Sequence, residues 1–254
     1  MTCRATFAVA AALLAAVQFQ PGAVAGTGPD EVLGHEFYFT RGNYGGSEMD
    51  WGPRWAVDFP EADEHFLVAL KRLTGIDAYD THNALLIDEP KLRDYPFLYI
   101  LEVGSLSLSD TQAKALREYL LAGGFMMVDD FWGTFAWQNF EHQMKLVFPE
   151  YDIVEVPLDH PIFHAFYDID EIIQVPNVYR ARGPVTHEYD GYVPHVRGIF
   201  DDDGRLMVVV NWNTDLGDAL GVGRQPGLSP ALFHLRVRGR RQHRHLRHEP
   251  LSPS

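Results

Sequence analysis

The chain is almost without cysteine. Of its 254 residues only Cys3 carries a thiol, and it lies ahead of everything that reads as a folded domain. A domain beyond it has no disulfide, no thiolate metal centre and no cysteine nucleophile. A membrane-length apolar run is lacking too: Phe7 to Val17 is uncharged but too short to span a bilayer comfortably. Basic residues are sparse through the body. Between Gly26 and Gly223 there are 34 acidic against 13 basic residues, a net charge of −21, which argues against nucleic acid and anionic membrane as partners. Phosphate-loop, dinucleotide and Gly-x-Ser-x-Gly signatures are missing, which counts against nucleotide enzymes and serine hydrolases.

What is present begins with Arg4, the apolar run and the small-residue site Ala23-Val24-Ala25, the build of a cleavable secretory signal. The reading is a signal over residues 1–25, a flexible leader over 26–34 and a secreted or periplasmic protein with no membrane span after cleavage. No repeat or low-complexity linker divides the chain beyond the leader, so residues 35–219 are expected to form one α/β domain.

Periodicity supplies its elements. Glu36 to Phe39 reads as a first strand running into a glycine-rich loop from Arg41 to Gly46. Pro60 to Leu73 carries apolar residues at helical spacing, with acids early and Lys71 and Arg72 late, as the helix dipole favours. Leu85 to Ile87 and Phe97 to Leu101 read as strands. Ser109-Asp110-Thr111-Gln112 is a capping box opening a helix that Gly123 and Gly124 close. Phe125 to Val128 then resumes as a buried strand, and strand–helix–strand at this spacing implies a right-handed crossover and a parallel sheet. Trp137, Phe140, Met144 and Val147 mark another helix, and Ile199 to Asn211 a β-hairpin turning at Asp203-Gly204.

The chemistry gathers where the buried strand stops. Asp129 and Asp130 come directly after Val128, and alternation should send one carboxylate into the core and the other to the ligand-binding edge. Such a pair can act as acid and base or hold a divalent cation; equally, one can cap a helix while the other pins a loop. Asn211, Asn213, Asp215 and Asp218 form a second polar cluster that shares this crevice if its strand lies beside the central one. Arg41, Trp132 and Arg197 are candidate ligand contacts, with Asn213 and Asp215. His160 and His164 are four apart, but no third ligand is specified by spacing, so no metal site or cofactor is assigned.

Several blocks carry a resemblance. Phe37-Tyr38-Phe39-Thr40-Arg41, Asp94 to Tyr99, Leu116 to Phe125, Val128 to Phe131, His160 to His164, Arg197 to Ile199 and Asn213 to Asp218 resemble the bacterial family of domain of unknown function 4159, over about His35 to Ala219. The resemblance implies a flavodoxin-like three-layer sandwich with a mainly parallel sheet, like that of class I glutamine amidotransferases. Where that superfamily presents a cysteine at a strand-to-helix elbow, this chain has Asp129 and Asp130. A carboxylate cannot replace a thiolate in glutamine hydrolysis, so that activity does not carry over.

The chain departs from the family after Asp218-Ala219. Where the family continues with an aromatic, acidic segment and an apolar strand, residues 220–254 form a tail with 7 arginines and one glutamate. Codons for Leu220 to Ser229 can be chosen to read Trp-Glu-Trp-Ala-Asp-Asn-Pro-Ala-Tyr-Pro one nucleotide later, and those for Arg240 to Leu251 give an apolar strand at the same offset. The expectation is a frameshifted, disordered end, against a native basic tail binding an acidic partner or a metal through His243, His245 and His248. For function, the expectation is small-ligand or cell-envelope-partner binding at the carboxyl edge of the sheet. The alternatives are a glycan or amide hydrolase with Asp130 as acid or base assisted by Asp129 or Asp215, and a structural module of an envelope complex.

Overall fold

The computed structural model describes residues 34–45, 48–49, 52–165, 168–181 and 183–221. The expected signal, all of the leader but Gly34, and the tail from residue 222 lie outside the described residues.

In chain order the elements are β1 (Thr40–Asn43), β2 (Glu48–Met49), β3 (Gly52–Pro53), α1 (Glu61–Thr74), β4 (Asn83–Leu86), β5 (Phe97–Leu101), α2 (Asp110–Leu121), β6 (Phe125–Phe131), α3 (Gly133–Val147), β7 (Val154–Glu155), β8 (His195–Phe200), β9 (Leu206–Trp212) and α4 (Leu216–Gly221). Seven strands form one sheet in the order β4-β1-β5-β6-β9-β8-β7. The first five are mutually parallel, whereas β8 and β7 are added antiparallel at one side. The molecule is therefore a mixed α/β fold with a mainly parallel sheet.

The central strands are apolar throughout because helices cover both faces. Leu98, Ile100, Met126 and Val128 turn toward Leu116, Leu120, Phe140 and Met144 of α2 and α3. Their alternates Phe97, Tyr99, Phe125 and Met127 turn toward Phe66, Leu67 and Leu70 of α1. The capping box is formed: Ser109 Oγ accepts from Gln112 N at 3.2 Å, and Gln112 Oε1 accepts from Ser109 N at 3.0 Å. Helix α1 ends at Gly75, whose φ of 75° is the left-handed stop that glycine adopts without strain.

The first strand lies further along than expected. Phe37 makes only an isolated bridge to Ala78, and the sheet takes Thr40–Asn43, so Arg41 and Gly42 belong to a strand and not to a loop. Two local facts make so polar a stretch a buried strand. Arg41 and Asp63 of α1, both fully buried, form a bidentate ion pair, and Arg41 also donates to the carbonyls of Val57 at 2.7 Å and Trp55 at 3.3 Å. Gly42 sits so close beneath β5 that an added Cβ would stand 2.6 Å from Ile100 Cγ2. Hydrophobic periodicity registers neither.

Candidate functional site

Strand β6 does not run evenly to its end. It pairs with β9 at Val128↔Val210 and again at Phe131↔Trp212, so one extra residue is accommodated between these pairs. Asp130 absorbs the irregularity with φ of 47°, and the two neighbouring aspartates depart to different surroundings.

Asp129 goes inward, with no exposed surface. Its Oδ2 accepts from Tyr99 Oη at 2.8 Å, Leu216 N at 3.0 Å and Gly217 N at 3.1 Å, anchoring the start of α4. Its Oδ1 has no hydrogen-bond partner among the described residues, and burial pushes its carboxyl up to about 7 against the hydrogen bonds that favour ionisation. Asp130 instead faces a cleft at the carboxyl edge of the parallel strands. Its Oδ1 accepts from Trp132 Nε1 at 3.0 Å.

That cleft encloses about 1220 Å³. Seven carboxylates line it: Asp58, Glu102, Asp130, Glu188, Asp190, Asp215 and Asp218, with Arg54 the lone cationic side chain among the described lining residues. Arg54 is already committed to Glu102 at 3.1 Å. Burial, then the neighbouring Glu102, hold the Asp130 carboxyl well above the carboxylate range. Asp215 is raised in the same direction, first by burial and then by Asp130. Asp58 keeps contact with solvent at the mouth, yet surrounding protein and then Asp218 push it up to about 6. Glu102 and Glu188 are raised by burial as well, against the pull of Arg54 and Arg180. An anion would be repelled here; a cation or a hydrogen-bonding neutral molecule would not.

Backbone strain has the same address. Among the described residues, the non-glycine residues at positive φ are Asp58, Glu102, Asp130, Tyr189 and Asn213, and the first four line the cleft. The fifth, Asn213, holds its wall together, accepting from Gly133 N at 2.8 Å and donating to Val193 O at 2.7 Å. Such conformations cost about 1–3 kcal/mol each and gather at functional sites. The rim is aromatic: Phe135, Tyr179 and Tyr189 are 83%, 88% and 79% exposed.

The residues singled out from sequence divide sharply. Asp130, Trp132 and Asp215 line the cleft, and Asp218 joins them. Arg41 does not: it is sealed under the sheet edge with Asp63, and its guanidinium is covered by protein on every side. Arg197 also lies elsewhere, on β8, stacked over Trp137 and Trp212 and bonded to Glu155 at 3.0 Å. Asn213 is a clamp rather than a lining group. Asn211 is buried beside β6 with both side-chain atoms unpartnered among the described residues. His160 caps its own turn, its ring nitrogen accepting from Ile162 N at 3.2 Å, while His164 pairs with Asp168 at 3.0 Å. Sequence reasoning missed Asp58, Glu102, Glu188 and Asp190. A usable signal existed for Glu102, which directly succeeds a buried parallel strand and so must emerge at the ligand edge.

The fold and the cleft define a parallel-sheet α/β protein with an acidic site at the strand ends. A family model described as "Domain of unknown function (DUF4159)" matches residues 39–243, and the chain belongs to that family. No match was found among curated proteins.

Proposed function

We propose that the protein binds a small hydroxylated or cationic molecule, such as an amino sugar, in the cleft at the carboxyl edge of the sheet. The observation that carries this reading is the gathering of seven carboxylates around one committed arginine beneath an exposed aromatic rim. Carboxylates accept from hydroxyl and ammonium groups, and aromatic rings stack on sugar faces or on cations. A thermal-shift panel of amino sugars, their N-acetyl forms and uronic acids tests it. Amino sugars should raise the melting temperature, uronic acids should not, and Asp130→Asn should reduce the shift. A panel in which uronic acids bind as well as amino sugars contradicts the reading.

A hydrolytic reading rests on one further feature. Asp130 is a carboxyl at a strained turn between β6 and α3, and burial raises it well above the carboxylate range, which suits it to donate a proton to a leaving group. Asp130→Asn separates the two: retained affinity with lost turnover favours hydrolysis.

The strand order, with parallel strands running 2-1-3-4-5 by sequence, supports the flavodoxin-like, amidotransferase-like assignment. Export is our reading of the signal-like first 25 residues. A one-base frame change is our explanation for the basic tail. It rests on the arginine-rich composition of residues 220–254 at the end of an acidic body.

A further inference from the structure

Asp58, Asp215 and Asp218 reach the cleft from two separate parts of the chain: Asp58 from the turn before α1, the other two from the start of α4. One carboxylate oxygen of each lies within 4.8 Å of those of the other two. Oxygens bound to one ion at about 2.0–2.6 Å must fall within about twice that distance of each other, and these do. The set contains oxygen alone, without histidine or cysteine, which selects a hard cation over zinc or copper.

A second observation is independent of this spacing. Asp130, contributed by β6, is only 7% exposed and lines the same cleft. Its Oδ1 is taken by Trp132, but among the described residues no donor reaches its Oδ2. Nor does any described cation serve the group: Arg54 is paired with Glu102, and Arg41 with Asp63. Asp215 and Asp218 each spend one oxygen on a backbone amide, Asp218 N at 2.8 Å and Val178 N at 2.6 Å, and Asp218 also shares with Asp58 a carboxyl–carboxyl hydrogen bond, whose proton a cation would replace. Those amides hold the carboxylates in place without neutralising them. A buried carboxylate with a free oxygen, lining one cleft with three more, is an arrangement that positive charge from outside would complete.

We infer that Asp58, Asp215 and Asp218 form a binding site for a hard divalent cation, with Asp130 facing it from the end of β6. This site needs the cleft but not the organic ligand proposed above, so either can fail without the other.

The test is calorimetric titration of the chelator-treated full chain with calcium, magnesium and manganese chlorides, with no organic ligand present. At least one of the three ions should show saturable one-to-one binding and raise the melting temperature. Asp58→Asn, at the exposed mouth, and Asp218→Asn, which keeps an oxygen for Val178 N, should each weaken that binding about ten-fold or more. Glu150→Gln, at a carboxylate paired with Arg117 elsewhere on the surface, should leave it unchanged. Absence of saturable binding for all three ions overturns the inference. So does binding that survives both aspartate substitutions in variants whose melting curves show them folded.

Discussion

Arg41 and Asp63 show how far a residue's role depends on what surrounds it. With both side chains fully buried, breaking the pair strands a charge in the core, so Asp63→Ala should cost about 3–5 kcal/mol in urea denaturation. A loss below about 1 kcal/mol would contradict a structural role. From sequence, Arg41 reads as a loop residue open to ligand, because nothing in its neighbourhood announces a carboxylate 22 positions later. Asp130, by contrast, is legible as one of two successive carboxylates where a buried parallel strand ends, of which one turns into the core and the other toward the ligand edge. The buried carboxyls also fix a pH dependence. Burial pushes Asp58 and Asp129 up to about 6 and about 7 and raises Asp130 and Asp215 in the same direction, whereas the unfolded chain releases its protons near about 3.9. The folded state therefore holds more protons than the unfolded one in this window, and stability falls as pH rises. In chelator-treated protein the urea midpoint should be higher at pH 5 than at pH 8, and Asp130→Asn should flatten the slope. A midpoint rising over that interval would refute the assignment.

At the scale of elements, most of the framework comes from local signals. Strand Phe97–Leu101 is legible residue for residue as an unbroken apolar run, and α2 by its capping box. The start of β1 is not, since Thr40 to Asn43 are paired and buried by partners distant in sequence. The bulge at the end of β6 is equally hidden, being set by register against β9. Helix α4 depends on that bulge. Asp129 satisfies its first amides, so Asp129→Ala should speed hydrogen exchange at Leu216 and Gly217 while the amides of β5 stay protected. Unchanged exchange at those two amides would mean that α4 is held by packing alone.

For the whole molecule, the acidic body and the cleft are one design. A net negative protein with an acidic pocket draws cations toward it and turns anions away, and added salt should weaken that attraction. The basic end runs against this pattern of charge, and the frame change proposed for it is open to a direct test. Resequencing the gene across the codons for Asp218 to Leu220 should reveal the shifted base. A chain with the restored ending should melt higher than this one. An unbroken frame, or no gain in melting temperature from the restored ending, would rule the frame change out.

The central claim is that small molecules bind where Asp130 faces the cleft. The indole N–H of Trp132, bonded to Asp130 Oδ1, reports on that spot directly. In a heteronuclear NMR titration with glucosamine, its resonance should shift together with the amides of Asp58, Glu102 and Asp215, while the indoles of Trp137 and Trp212 stay in place. Shifts confined to residues outside the cleft, or none at saturating ligand, would contradict it.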